Sequence, residues 1–327
     1  MIPKHGVFTI SLDFELFWGV RDKRTTQQYK INLEGVRIAI PAILELFQEF
    51  GIHATWATVG FLFFKDFEDL ETNIPPILPT YQNSVLSPYE YLRTCLKIEP
   101  SYHFAPDLLG LIAKYAGQEI GTHTFSHYYC LENGQTLEQF QCDLQSAAQI
   151  FKKNGLAMKC LVFPRNQWNA EYLQTLSKYG ITCYRGNEKH WIYNASDNKN
   201  QGKLQRAFRL LDAYFNISGH NTYDLTECLS IEPFNLPSSR FLRPFSRRFA
   251  RLEPIRINRI IGQMNFAAIH NRLFHLWWHP HNFGANTKDN INNLRKILNH
   301  FDTLRKMYGF TSLNMGELCS RGWCNYE

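Results

Sequence analysis

No two of the eight cysteines form a C-x-x-C pair; they stand singly at positions 95, 130, 142, 160, 183, 228, 319 and 324. That spacing excludes a paired-cysteine zinc site and offers no disulfide framework, so reduced thiols, as in a cytosol, are expected. Long apolar runs are also missing. The longest nearly uncharged stretch, residues 50–64, falls short of the roughly 20 residues that a bilayer-spanning helix needs. The opening MIPKHGVFTISLDFEL has no apolar stretch followed by a small-residue cleavage site. No secretory signal is read there, and a cytoplasmic location is expected. No internal repeat is visible. The net charge of +6 is modest for 327 residues and no recognised binding motif accompanies it, so no nucleic-acid partner is expected.

What is present is a well-stocked interior. With 44% hydrophobic and 15% aromatic residues, the chain can bury a large core, and no composition break divides it, so residues 1–327 are read as one domain. Apolar runs bounded by turn residues predict strands at Gly6–Leu12, Ile52–Gly60, Glu119–Thr122, Met158–Phe163, 181–185 and Arg272–Trp278. Helical periodicity predicts helices at Leu33–Phe50, which must accommodate Pro41, and at 106–115, 136–153, 169–179 and 289–307. Phe310–Leu313 and a short helix from Met315 close the chain. Repeated strand–helix units favour an α/β fold with a parallel sheet or barrel. Proline-rich residues 61–103 and the stretch 186–271, polar and Asn-rich at its start, read as two insertions.

Acidic residues are nearly absent from Arg240–Arg259, which holds seven arginines and only Glu253. Arginines at 240, 243, 247 and 251 recur at helical spacing beside Phe241, Phe245, Phe249 and Leu252. A surface helix with solvated arginines is the plain reading of this segment, broken by Pro244 and Pro254. An anionic membrane surface, contacted peripherally, or a phosphate-bearing substrate is the functional one.

Ligands in α/β folds collect at the carboxyl ends of strands, and four predicted ends carry chemistry. Asp13 and Glu15 in Ser11-Leu-Asp-Phe-Glu15 point to one side if the strand continues, and two carboxylates there need a cation or a partner. His123 and His127, four apart, share a face on a helix or helical turn, which can bring two imidazoles to one ion. Thr124, where zincin proteases carry Glu, excludes that class. Arg165, in Val162-Phe-Pro-Arg165-Asn166, could orient a carboxylate and depress its pKa. Leu276-Trp-Trp-His279-Pro-His281 offers imidazoles, and strand alternation lets at most one of Trp277 and Trp278 line a pocket.

In this order the motifs resemble the polysaccharide deacetylases, the NodB-homology family or carbohydrate esterase family four. Ser11-Leu-Asp-Phe-Glu15 is similar to the family's acid motif, Gly51–Gly60 to its second strand, and Glu119-Ile-Gly-Thr-His-Thr-Phe-Ser-His127 to its His-x-x-x-His metal motif. Pro164-Arg165 and Leu276-Trp-Trp-His279-Pro resemble the remaining two. The resemblance implies a distorted (β/α) barrel of about seven parallel strands. It further implies one divalent metal ion, zinc, held by Glu15, His123 and His127, with Asp13 as base, Arg165 orienting it and His279 as general acid. Trp278, His281 and Asn166 are expected at the substrate.

The acid pair here is Asp-x-Glu rather than the family's adjacent acids, and Pro164-Arg165 reverses its usual order. The implied reaction is metal-dependent removal of an N-acetyl or similar acyl group from a saccharide. A cytoplasmic enzyme would meet a nucleotide- or lipid-linked precursor of a surface polysaccharide. The rivals are a deformylase or cyclic-amide hydrolase on the same scaffold, and an inactive glycan-binding relative.

Overall fold

The computed structural model describes residues 3–195 and 202–320; Cys324 and residues 196–201 of the second insertion lie outside that range. Among the described residues nine strands form one sheet: β1 (Val7–Phe14), β2 (Ala54–Thr58), β3 (Gln118–Thr122), β4 (Cys160–Val162), β5 (Cys183–Arg185), β6 (Phe234–Asn235), β7 (Arg240–Phe241), β8 (Leu273–Trp278) and β9 (Thr311–Ser312). Their order is β6-β5-β4-β3-β2-β1-β8-β7, with β9 beside the start of β1, and every pairing is parallel. The sheet curls into a half-barrel, and residues 236–239 run across its open side. The Leu236 amide donates to Tyr184 of β5 at 3.0 Å and the Ser239 amide to His275 of β8 at 2.8 Å. This is an α/β fold of the distorted (β/α) barrel kind.

All eight residues of β1 are buried, as expected of a central strand covered on both faces. Its two faces nevertheless differ. Phe8, Ile10, Leu12 and Phe14 pack into the layer of helices, whereas Thr9, Ser11 and Asp13 turn to the concave side. The same parity runs through β8, where Phe274, Leu276 and Trp278 join the helix-facing core and His275 and Trp277 face inward. In β5, Arg185 is two residues on from Cys183 and takes the inward side. Side-chain parity thus delivers Ser11, Asp13, Arg185, His275 and Trp277 to the concave side of the sheet.

The longest helix, Thr26–Phe50, begins seven residues earlier than its apolar stripe, because Thr25 and Gln28 form a capping box around its first turn. Pro41 lies within it, and Gly51 ends it in the left-handed region at φ 61°. It lays Leu33, Val36, Ile40, Ile43, Leu44 and Phe47 against the sheet, each worth roughly 1.5–3 kcal/mol of apolar burial. Helices Leu137–Lys153, Glu253–Ile269 and Thr287–Tyr308 cover the rest. The first insertion contributes short helices at Phe67–Glu71, Pro88–Thr94 and Pro100–His103. Among the described residues no helix is long and apolar enough to cross a membrane.

The arginine segment is not one amphipathic helix. Arg240 and Phe241 are a strand, residues 247–252 a 3-10 turn, and the helix starts only at Glu253, ahead of Pro254. Helical spacing misleads here because the first arginine is consumed by pairing with β8. Arg240 and Arg259 are buried against Asp212 at 2.6 and 3.7 Å, and Arg256 pairs with Glu253. Only Arg247, Arg248 and Arg251 are exposed.

Candidate metal and catalytic centre

β3 ends at Thr122, and the chain then turns through His123–His127 without forming a helix. Thr124 and His127 adopt positive φ, 64° and 60°, so the two imidazoles converge through a tight loop rather than across a helical turn. Asp143, buried on helix Leu137–Lys153, braces the loop from behind. It accepts from the Phe125 amide at 2.7 Å, the Ser126 amide at 3.1 Å and the Ser126 hydroxyl. Loss of its solvent shell pushes its carboxyl up to about 6, with those hydrogen bonds acting the other way.

Glu15 reaches the same point from the end of β1. Its Oε2 lies 3.2 Å from His123 Nε2 and 2.8 Å from His127 Nε2. Gly19 leaves room for the carboxylate, since a Cβ there would sit 1.8 Å from Glu15 Oε1. These three buried donors lie within 4.8 Å of one another. Their protonation suits a cation. His123 Nδ1 faces the Val162 carbonyl at 2.8 Å, which can only accept, so this nitrogen carries a proton and Nε2 is the nitrogen turned to the Glu15 carboxylate. Burial pushes His127 down to about 4, which keeps it neutral at pH 7, while its Nδ1 bonds Tyr129 Oη at 3.1 Å. Burial also works against ionised Glu15, but His279, His127 and His123 override it and hold the carboxyl well below its ordinary range. Two imidazole nitrogens and one anionic oxygen are a donor set for a transition-metal dication such as zinc.

Asp13 is held by Arg185. The guanidinium donates to both carboxylate oxygens, at 2.7 and 2.8 Å, and to Ser11 Oγ at 2.9 Å and Asn166 Oδ1 at 2.8 Å. Trp277 lies against the guanidinium, 4.2 Å from its ring centre. Behind Ser11, His275 Nε2 is 2.8 Å from Oγ and Nδ1 is 3.1 Å from the Leu236 carbonyl. Burial drives His275 down to about 3. The ring is therefore neutral, Nδ1–H donates to the carbonyl, and Ser11 gives its proton to Nε2 while accepting from Arg185. Burial raises the Asp13 pKa, yet Arg185 and the neighbouring imidazoles overcome it and leave it below the usual value.

Arg165 does not orient Asp13. It pairs with Asp22 at 2.6 Å, approaches Glu132 at 3.8 Å and stacks on Tyr129, the partner of His127. It steps aside because the backbone at Arg165 and Asn166 has positive φ, 57° and 54°, which carries the side chain past the strand end. Asn166, its neighbour, does line the pocket and accepts from Arg185. Trp278, expected at the substrate, is fully buried against Phe283 and Phe47, and Trp277 lines the pocket instead. His279 Nε2 stands 3.4 Å from Glu15 Oε1 and 3.8 Å from Asp13 Oδ2, with 23% of its side chain exposed. His281 is buried 4.0 Å from Glu15 and packed on Tyr29, behind the pocket rather than in it.

Sequence reasoning missed Arg185, Ser11, His275 and Asp143. For Arg185 a signal existed: it ends the predicted strand 181–185, by the same rule that singled out the other four positions. His275 and Ser11 are two residues before Trp277 and Asp13 on strands already identified, so parity could have found them. Asp143 carries no local signal, because its role depends on a helix packing behind the loop.

Asp13, Glu15, His127 and His279 form the floor of one pocket of about 310 Å³. Residues 34–184 match the family model for polysaccharide deacetylase. No curated protein matches the chain. Among solved structures, the chain is similar to a candidate polysaccharide deacetylase from Mycobacterium smegmatis, at TM-score 0.58 and 13% identity over 99% of this chain and 93% of that one. It is also similar in fold to 4-alpha-glucanotransferase from Thermococcus litoralis, at TM-score 0.54 and 13% identity over 97% of this chain and 40% of that one. Residues 34–184 therefore carry a polysaccharide deacetylase domain, of a family of hydrolases. The matched span holds His123 and His127; Asp13, Glu15, Arg185 and His279 lie outside it in sequence and are brought to it by the fold.

Proposed function

We propose that the protein hydrolyses an N-acyl bond, in the first instance N-acetyl, on a small saccharide, using one zinc ion held by Glu15, His123 and His127. The observation that carries this reading is the meeting of the three donors with Asp13 and His279 on one pocket floor. The ion would supply Lewis acidity for the attacking water and the acyl carbonyl. Asp13, fixed at both oxygens by Arg185, takes the proton of that water as it attacks. His279, partly exposed and 3.8 Å from Asp13, donates to the amine nitrogen, which is a poor leaving group until protonated. Trp277 and Phe241, with ring centres 4.6 Å apart, give the sugar an aromatic wall.

The pocket volume, about 310 Å³, is at the small end for ligand sites and accords with one sugar residue of a nucleotide- or lipid-linked precursor. A cytoplasmic location would give access to such precursors, and the free thiols among the described residues accord with it. Contact with an anionic membrane would fall to Arg247, Arg248 and Arg251. The test joins metal analysis to acetate release from N-acetylhexosamine derivatives. We expect close to one ion per chain, lost in His123→Ala together with activity. Wild-type protein that holds no ion and releases no acetate refutes the proposal. Release of formate from N-formyl sugars, without acetate, would assign the rival deformylase reaction.

A further inference from the structure

The deacylation machinery leaves a group of cations in its pocket unexplained. Besides Asp13, Glu15 and His279, the walls carry Lys23, Arg165, Arg209, Arg240 and Arg243. Two of these have structural partners, Arg165 with Asp22 and Arg240 with Asp212, each at 2.6 Å. Lys23, Arg209 and Arg243 have no carboxylate within ion-pair distance among the described residues. Glu188 also lines that wall; it is buried, pushed up from the ordinary carboxylate range, placed among Ser238, Arg240 and Arg185, and it attracts Arg209. Like charges also face one another here: Arg243 feels Arg256 and Arg240, and Lys23 feels Arg165 and Arg206 as well as the carboxylates of Asp22 and Glu132. Arg209 and Arg243 are half-buried, with Lys23 exposed at the rim, and burying like charge is unfavourable unless something anionic compensates it.

The two arginines are held in place with donors to spare. Arg209 spends Nε on the Ile192 carbonyl and lies 5.7 Å from the Tyr193 ring, while Arg243 makes one long bond of 3.4 Å to the Arg209 carbonyl. Most of each guanidinium fork stays available to the pocket. Phe241 links this wall to the reacting end. Its ring centre is 5.7 Å from that of His279 and 5.9 Å from the Arg243 guanidinium. One sugar ring laid along Phe241 and Trp277 reaches from the acyl site to the arginines.

We infer that Lys23, Arg209 and Arg243 seat a phosphoryl group of the substrate, so that the saccharide is deacylated as its diphosphate-linked form. The inference rests on the deacylation reading and specifies its substrate class. The two negative charges of a sugar-linked diphosphate come closer to balancing these cations than the single charge of a uronate carboxylate would. Planar guanidinium forks also suit phosphate oxygens.

The test measures acetate release from a free N-acetylhexosamine, a nucleoside-diphosphate N-acetylhexosamine and a polyprenyl-diphosphate N-acetylhexosamine. Inhibition by inorganic pyrophosphate is measured alongside. The linked forms should have the higher kcat/KM, and whichever is faster identifies the source of the phosphate. Arg209→Gln and Arg243→Gln should each raise KM for the linked substrate, and weaken pyrophosphate inhibition, by roughly tenfold or more, as loss of a charge-assisted hydrogen bond does. Arg243→Lys should recover part of that loss. Arg295→Ala, which removes a charge on an outer helix, controls for net charge. Pyrophosphate held only by the metal would be insensitive to both glutamine variants. That result, or a free sugar processed as well as the linked ones, overturns the inference. If no sugar releases acetate yet pyrophosphate binding weakens tenfold in the variants, the anion seat stands and the deacylation reading falls. Should a glutamine variant fail to fold, the lysine variant and Lys23→Gln carry the same comparison.

Discussion

Replacing Arg185 by methionine removes the one cation that bonds both oxygens of Asp13 while keeping most of the side-chain volume. Both partners are buried, with side-chain exposures of 0% and 4%, so the carboxylate would be left uncompensated. Breaking a buried pair in this way costs about 3–5 kcal/mol. At about 2 cal/mol/K of unfolding entropy per residue, a chain of this length should lose about 5 °C in melting temperature. The penalty should also depend on pH. In the wild type Asp13 has a folded pKa below its ordinary value, so its contribution is present above that value and fades as pH falls. In Arg185→Met the desolvation remains without the partner, the folded pKa moves above the unfolded one, and protonation on acidification relieves the strain. The gap between wild type and variant should therefore narrow from pH 7 towards pH 4. Deacylation should fall by about 10²–10⁴ in kcat/KM, the usual value of a placed general base. A double-mutant cycle in urea supplies the decisive measurement. Adding Asp13→Asn should cancel much of the cost of Arg185→Met, while the same cycle with Arg165→Met should be additive within about 0.5 kcal/mol. Strong coupling of Asp13 to Arg165, with none to Arg185, would refute the assignment.

Three further perturbations probe other parts of the molecule. Asp143→Ala strips the loop of two backbone hydrogen bonds and a hydroxyl partner; it should cost about 2–4 kcal/mol and lower metal content as well as stability. Metal retained in full, with His123 and His127 intact, would show that the loop holds its shape unaided. His103 is pushed down to about 4 by burial, with Nδ1 on the Glu99 carbonyl and Nε2 on Tyr91 Oη, both at 2.8 Å. The unfolded chain takes up that proton first, so stability should fall from about pH 6.5 towards pH 4 by up to about 3 kcal/mol, and His103→Phe should flatten this limb by close to one proton. Urea midpoints that run parallel in the two proteins would contradict this. Co-sedimentation with vesicles rich in anionic lipid should decline when Arg247, Arg248 and Arg251 are neutralised together; unchanged sedimentation would remove the membrane from consideration.

The contrast between Arg165 and Arg185 shows what a sequence of this kind reveals and what it withholds. Strand parity is a local property, so Asp13, Glu15 and the choice between Trp277 and Trp278 were within reach once β1 and β8 were delimited. Which arginine meets Asp13 depends on two features that no window of residues contains. One is the left-handed backbone at Arg165 and Asn166, which turns that side chain towards Asp22. The other is the run of strands β1 to β5, whose curl carries Arg185 across the barrel to a carboxylate 172 positions away in sequence. The histidine loop presents the same problem in a milder form: spacing alone predicted convergence, and a helix was the simplest way to achieve it. The chain uses two positive-φ residues and a distant aspartate instead. A helix would have tied the imidazole geometry to a fixed pitch, whereas a loop anchored by Asp143 and backed by the Val162 carbonyl sets each ring independently. Two imidazoles brought from different supports to the Glu15 carboxylate would together offer one ion three donors.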